Sequence, residues 1–104
     1  MKLIVILSIT EYQEQVTKLL YEAGVSRFSL MDITGYKRKK ERVALNWFGT
    51  AAEAKVNSIL FFSFASEEVA RSVIRVVETC NGEAQNPFPV HAFVLDVEQN
   101  SKFF

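Results

Sequence analysis

Several stretches of the chain are apolar at nearly every position, a pattern typical of strands that are buried on both faces. Residues 3–7 read Leu-Ile-Val-Ile-Leu, and residues 59–62 and 93–95 are equally apolar. Successive side chains of a strand point to opposite faces, so a sheet with one face in water carries polar residues at every second position. These stretches do not, and we therefore expect both faces of the sheet to be covered.

The order of the elements predicts four strands and two helices. The predicted strands are residues 2–9, 25–36, 55–65 and 88–97. The first helix has Thr10 as its predicted N-cap and ends at Gly24. The second follows the capping sequence Ser66-Glu67-Glu68 and ends at Asn81-Gly82.

This order predicts a single domain over residues 1–104 in the α+β class. The βαββαβ sequence of elements is ferredoxin-like: an antiparallel four-stranded sheet with two helices on one face. Two helices cover only that one face. The other face should therefore meet a partner subunit, a ligand or a nucleic acid.

Residues 37–54, which join the second and third predicted strands, are far longer than a usual hairpin loop. The segment opens with a basic run and carries two aromatic residues further along: Lys37, Arg38, Lys39, Lys40, Arg42, Trp47 and Phe48. Two interpretations remain open. The cations protect a sheet edge in a solvated stem, or the segment binds an anion or a partner protein.

Composition narrows the functional classes. The 104 residues include 12 basic and 12 acidic side chains, so net charge does not favour nucleic acid or an anionic membrane. The only cysteine, Cys80, has no partner for an internal disulfide, and with the only histidine, His91, it makes a poor metal site. The apolar N-terminal stretch is too short to span a membrane, and we expect a cytoplasmic protein.

Neither catalysis nor RNA binding is favoured. The sequence has no serine with a histidine base and no Cys-x-x-Cys or His-x-Glu pair, so we predict no catalytic residues and no enzyme. RNA-recognition domains share the predicted topology and remain an alternative. Ile59, however, stands where the third strand of such a domain is expected to carry a stacking aromatic.

Four short motifs resemble the PII-type signalling proteins. They are Glu22-Ala23-Gly24-Val25, Thr34-Gly35-Tyr36 before the long segment, Lys55-Val56 after it, and Phe93-Val94-Leu95-Asp96-Val97. The resemblance covers most of the chain, through spacing more than through identical residues. It implies a homotrimer that binds an adenine nucleotide (ATP, ADP or AMP) between subunits and regulates a transporter, enzyme or regulator through the long loop.

The resemblance also implies roles for particular residues. The implied ligand-binding residues are Gly35, Tyr36, Lys37, Arg38 and Lys55, with Arg38 on phosphate oxygens. The implied partner-binding residues are Lys39, Lys40, Arg42, Trp47 and Phe48. The chain departs from the family in its glycine-rich turn and its C-terminal arginines, which are absent, and in Lys39, which replaces a glutamine of the 2-oxoglutarate sensors.

A second resemblance is to CutA, a trimeric protein of the same fold that is linked to metal ions. Asn86-Pro87-Phe88-Pro89-Val90 resembles its turn into the last strand, and Ser101-Lys102-Phe103-Phe104 resembles its tail. A CutA-like, metal-related protein is therefore an alternative to the PII-like one. No residue is predicted as a metal ligand.

Overall fold

The computed structural model describes residues 1–36, 55–84 and 88–102. Their elements are β1 (Lys2–Ile9), a 3-10 turn (Thr10–Tyr12), α1 (Gln13–Glu22), β2 (Ser29–Tyr36), β3 (Lys55–Ala65), α2 (Glu67–Ala84) and β4 (His91–Asp96). The strands form one antiparallel sheet in the order β2-β3-β1-β4, so β2 and β4 are its edges. The predicted α+β, ferredoxin-like fold is confirmed.

One face of the sheet, the inner face, packs against both helices. Its strand residues are Ile4 and Ile6 of β1 with Ile59 and Phe61 of β3, all at most 1% exposed. The helices contribute Val16, Leu20, Ala70, Val73 and Val77 to the same core. The apolar periodicity of both helices therefore faces the sheet, as the sequence predicts.

The opposite face, the open face, is equally apolar. Directly paired residues of neighbouring strands share a face, so the register assigns its members. Its large apolar residues are Leu3, Val5, Leu7 and Ile9 of β1, Met31 and Ile33 of β2, Leu60, Phe62 and Phe64 of β3, and Phe93 and Leu95 of β4. Neither α1 nor α2 covers this side.

The end of α1 shows why glycine is needed at position 24. Gly24 has φ of +96°, its N–H donates to the Tyr21 carbonyl, and the Val25 N–H donates to the Leu20 carbonyl. This pair of bonds is a Schellman motif, in which the left-handed residue satisfies the last free carbonyls of the helix. The predicted stop at Gly24 is confirmed.

The predicted start of β2 at Val25 is wrong, because residues 25–28 have other partners. Val25 completes the helix cap and is buried at 3% exposure. The Arg27 carbonyl accepts a hydrogen bond from Ser63 Oγ at 2.5 Å, and Phe28 packs on Phe61 with ring centroids 5.9 Å apart. Strand pairing therefore begins at Ser29. β4 is also shorter than predicted, His91–Asp96 instead of residues 88–97.

The two predicted caps have different outcomes. Ser66 is confirmed as a cap of α2, since its Oγ accepts a hydrogen bond from the Val69 N–H at 3.3 Å. The N-cap assigned to Thr10 is wrong: Thr10 opens the 3-10 turn, and Tyr12 precedes α1 without a side-chain cap bond. A 3-10 turn accommodates the chain between β1 and α1 instead.

The predicted end of α2 at Asn81-Gly82 is also wrong, because the helix continues to Ala84. The Asn81 side chain bonds the backbone of Val90 twice: Nδ2 donates to the carbonyl at 2.8 Å, and Oδ1 accepts from the N–H at 3.0 Å. Asn81 thus connects the helix to the start of β4 and does not terminate it.

Candidate functional site

The centre of the open face is a shallow apolar depression with a volume of about 560 Å³. Its lining comes from all four strands: Val5, Leu7, Ile33, Leu60, Phe93, Val94 and Leu95. Leu7 is buried, and the surrounding apolar residues are much more exposed, with Met31 at 50%, Phe64 at 49% and Leu95 at 48%. A depression of this composition suits an apolar partner surface.

The open face also lacks fixed charge. Among the described residues, its strand positions carry no lysine, arginine, aspartate or glutamate. Contiguous exposed apolar surface of this kind is typical of sites where another molecule binds. The described part of this face therefore lacks the lysine and arginine side chains that bind nucleic-acid phosphates most strongly.

The prediction that Ile59 occupies the position of an RNA-stacking residue is wrong. Ile59 is 0% exposed and lies on the inner face, so it is not a position where a base could stack. The open face does carry aromatic residues at Phe62, Phe64 and Phe93. The lack of cations beside them, within the described strands, is the stronger argument against RNA.

The predicted ligand site lies at the end of β2, where the long segment leaves and re-enters the sheet. Gly35 pairs with Val56 and Tyr36 with Lys55, which places these backbones side by side. Gly35 is buried, and Tyr36 is 69% exposed. The structure therefore brings Gly35, Tyr36 and the Lys55 backbone together.

The other predicted site residues lie outside the described ranges. They are Lys37 and Arg38 of the ligand site, and Lys39, Lys40, Arg42, Trp47 and Phe48 of the partner-binding segment. Their roles stay predictions. Their place in the sequence, directly between Tyr36 and Lys55, puts both ends of the segment at this edge of the sheet.

One ion pair joins β1 to the edge strand β4 on the inner-face side of the sheet. Lys2 Nζ donates to Asp96 Oδ1, joining the start of β1 to the end of β4, where these residues are direct partners. The hydrogen bond from Lys2 lowers the pKa of the Asp96 carboxyl below its ordinary value. The same bond raises the pKa of the Lys2 ammonium above its ordinary value. This pair is structural, since it ties an edge strand to its neighbour.

The described residues contain no group of three or more His, Cys, Asp or Glu side chains that could hold a metal ion. His91 is half-buried on β4 beside Leu7, and Cys80 is a half-buried free thiol on α2. Neither belongs to a cluster of ligands in this part of the chain. Over the same described ranges, no helix is long and apolar enough to cross a membrane.

Comparison with known structures agrees with this architecture. A protein of the DUF3240 family from Shewanella baltica OS155 superposes with a TM-score of 0.66 and 15% identity, over 99% of this chain and 96% of its own. A protein from Thermus thermophilus, assigned provisionally to the PII-like signalling proteins, superposes with a TM-score of 0.60 and 17% identity, over 92% and 84%.

No protein-family model matches the chain, and no curated protein matches its sequence. The two structural likenesses are therefore likenesses of fold. They show that the chain shares the fold of these two proteins.

Proposed function

We propose that this protein is a PII-like regulatory protein that assembles as a homotrimer through its open face. In this proposal it binds a small anionic effector, with an adenine nucleotide as the candidate, at the end of β2. Residues 37–54 then contact a regulated partner protein. The observation that carries the proposal is the apolar open face, which no described element of the chain covers.

The first part of the proposal is assembly into a homotrimer. Assembly would explain why the open face of the sheet is as apolar as the inner face. An apolar depression without charged lining residues is best filled by another apolar, uncharged surface, and a second copy of the same face is one such surface. Closed symmetric assemblies bury such faces completely. Three copies are proposed because the fold and the sequence motifs resemble those of trimeric PII-type proteins.

The effector is proposed from the residues around Gly35. The register places Tyr36 and Lys55 as partners, and Arg38 is only two residues beyond Tyr36. A lysine and an arginine near one strand end can bind phosphate oxygens by charge-assisted hydrogen bonds. A phosphate-bearing effector would also neutralise the basic run of residues 37–42, and so alter how that segment presents Trp47 and Phe48 to a partner.

Assembly and effector binding are separate claims with separate tests. The mass of the purified chain tests the first. Calorimetric titration of ATP, ADP and AMP tests the second, with Arg38→Ala as the site variant and Lys18→Ala as a control that removes an exposed cation from α1.

At least one nucleotide should release heat with the wild type and with Lys18→Ala. Arg38→Ala should weaken that binding about tenfold or more, because a charge-assisted hydrogen bond contributes about 1.5–3 kcal/mol. Absence of heat for all three nucleotides, or equal binding by Arg38→Ala, would contradict the effector claim and leave assembly to its own test.

A further inference from the structure

A second depression, polar where the first is apolar, lies where β1 ends and β2 and β3 continue. β1 ends at Ile9, opposite Ser58, whereas β2 and β3 stay paired as far as Tyr36 and Lys55. The depression has a volume of about 350 Å³ and is lined by Thr10, Asp32, Ile33, Thr34, Asn57 and Ser58. Five of these six residues are polar, so we name it the polar depression.

The register places three of the polar side chains on one side of the sheet. Thr34 and Asn57 are direct partners, and Asp32, paired with Ile59, is two residues before Thr34 on the same strand. All three therefore share the side of Ile59, which is the inner face beyond the end of β1. Ile33 and Ser58 alternate with them, so they line the depression through their backbones.

Asp32 is the residue that points to a ligand. Its carboxylate makes no salt bridge and no side-chain hydrogen bond with the described residues, whereas Asp96, the other strand aspartate, is paired with Lys2. Asp32, Thr34 and Asn57 are exposed, and Thr34 and Asn57 likewise make no side-chain hydrogen bond within the described ranges. A concave site thus holds a carboxylate, an amide and hydroxyls whose hydrogen-bonding capacity is available to another molecule.

These lining groups define the chemistry of that molecule. Thr10 and Thr34 add hydroxyl oxygens, Asn57 adds an amide oxygen, and Asp32 accepts hydrogen bonds when it is ionised. Among the described residues, no lysine, arginine or histidine lines the polar depression. An anion would therefore be repelled by Asp32, whereas a cation with several N–H donors would find acceptors around it.

We propose that the polar depression binds a protonated primary amine. A primary ammonium carries one positive charge and three N–H donors, which match the Asp32 carboxylate and the oxygens of Thr34 and Asn57. The amine belongs either to a small free molecule or to a lysine side chain of another protein. This inference does not depend on the proposed anionic effector, whose chemistry is the opposite.

Titration followed by amide NMR of the ¹⁵N-labelled full chain tests the proposal. Propylammonium chloride and N-acetyl-lysine amide represent the two sources, and tetramethylammonium chloride and sodium chloride at equal ionic strength are the controls. Saturable shifts at Thr10, Asp32, Thr34 and Asn57 are expected with an ammonium that has N–H donors. Response to propylammonium alone assigns a free amine, response to the lysine amide alone assigns a protein side chain, and response to both supports an amine site that accepts either.

Two variants and two matched controls sharpen the result. Asp32→Asn should weaken binding about tenfold or more, because it removes the charge-assisted hydrogen bond. Thr34→Val should weaken it several-fold, since valine keeps the branched shape without the hydroxyl. Asp96→Asn removes the other aspartate of the described strands, and Thr79→Val makes the same hydroxyl-to-methyl change on α2, away from the polar depression; both should bind like the wild type. The proposal is overturned if neither ammonium gives saturable shifts, if tetramethylammonium or sodium gives the same shifts, or if Asp32→Asn binds unchanged.

Discussion

The two faces of the sheet have similar compositions and very different surroundings. Phe61 and Phe62 are neighbours on β3, yet Phe61 is 1% exposed under the helices, while Phe62 is half-buried on the open face. The inner face is completed by α1 and α2 within the chain. The open face has no such cover in the described residues, and Met31, Phe64 and Leu95 stay about half exposed.

The two faces should therefore contribute to different processes: the inner face to the folding of the single chain, and the open face to its association with other molecules. Apolar area buried on the inner face stabilises the single chain, by about 25 cal/mol per Å² removed from water. Apolar area on the open face can be removed from water only by something outside the described chain. Substitutions on the inner face should therefore change unfolding, and substitutions on the open face should change assembly.

The Phe61 and Phe62 pair gives the largest expected effect. Phe61→Ala should lower the free energy of unfolding by about 3–5 kcal/mol at any protein concentration, because it leaves a cavity in the helix-covered core. Phe62→Ala should cost less, and its cost should shrink on dilution, since assembly is linked to concentration. Urea unfolding at two protein concentrations measures both. Equal, concentration-independent losses would mean that the faces are energetically alike.

Two exposed leucines on opposite faces give the next test. Leu95 is 48% exposed on the open face, and Leu30 is 40% exposed on the inner-face side of β2. Leu95→Arg should weaken assembly about 100-fold or more, because a charged side chain is costly to bury in an apolar contact. Leu30→Arg should assemble like the wild type. Sedimentation velocity over a dilution series compares them, and equal behaviour would remove the open face as the assembly surface.

Two buried serines on opposite faces give a smaller effect. Ser8→Ala should cost about 1 kcal/mol, because it removes a hydrogen bond that the buried hydroxyl makes to the Ile9 carbonyl. Ser58→Ala should be neutral or stabilising, since its buried hydroxyl has no partner among the described residues. Chemical unfolding of both variants measures the difference. A loss at Ser58 as large as at Ser8 would show that its hydroxyl is already hydrogen-bonded.

The ion pair between Lys2 and Asp96 should give the smallest effect, since both side chains are accessible to water and salt. The pKa of Asp96 is lowered, so its stabilising contribution is complete at neutral pH and is lost as pH falls through that lowered value. The pKa of Lys2 is raised, so its contribution is lost only as pH rises through that raised value.

Thermal unfolding midpoints of the wild type and Asp96→Asn measure this pH dependence. The wild type should be slightly more stable at neutral pH, and the difference should close in acid. High salt should reduce it as well. A difference that stays constant from neutral to acidic pH would show that the ionised carboxylate is not what stabilises the edge.

Much of the fold was predictable because local patterns and packing agree. The helical periodicity of Val16 and Leu20, and of Val73 and Val77, matches the core that these residues form. Gly24 ends α1 as predicted because only the left-handed conformation completes that cap. Helix and strand types follow from such periodicity with little tertiary information.

The errors occur where a tertiary contact overrides a local signal. Asn81 is typical of a helix end, yet its side chain is held by the backbone of Val90, beyond the end of the helix. The sequence also cannot distinguish the faces of β3, since Leu60, Phe61 and Phe62 are all apolar. For this reason the sequence suggests a base-stacking position for Ile59, which lies on the inner face.

Part of the predicted ligand site could be derived from the sequence, whereas the polar depression could not. The pairing of Gly35 and Tyr36 with the start of β3 follows from the hairpin itself, so the proximity of these predicted ligand-site residues was expected. The polar depression was not, because Asp32 and Asn57 are far apart in sequence and neither belongs to a local motif. Only the register, which aligns them on one side of the sheet beyond the end of β1, shows that they are neighbours.

Light-scattering mass of the purified wild-type chain tests the central claim most directly, because it reports whether the open face is covered by other copies. A single chain has a mass of 11.8 kDa. The account predicts a species about three times as heavy that persists on dilution. A stable species of 11.8 kDa with no bound molecule would contradict it.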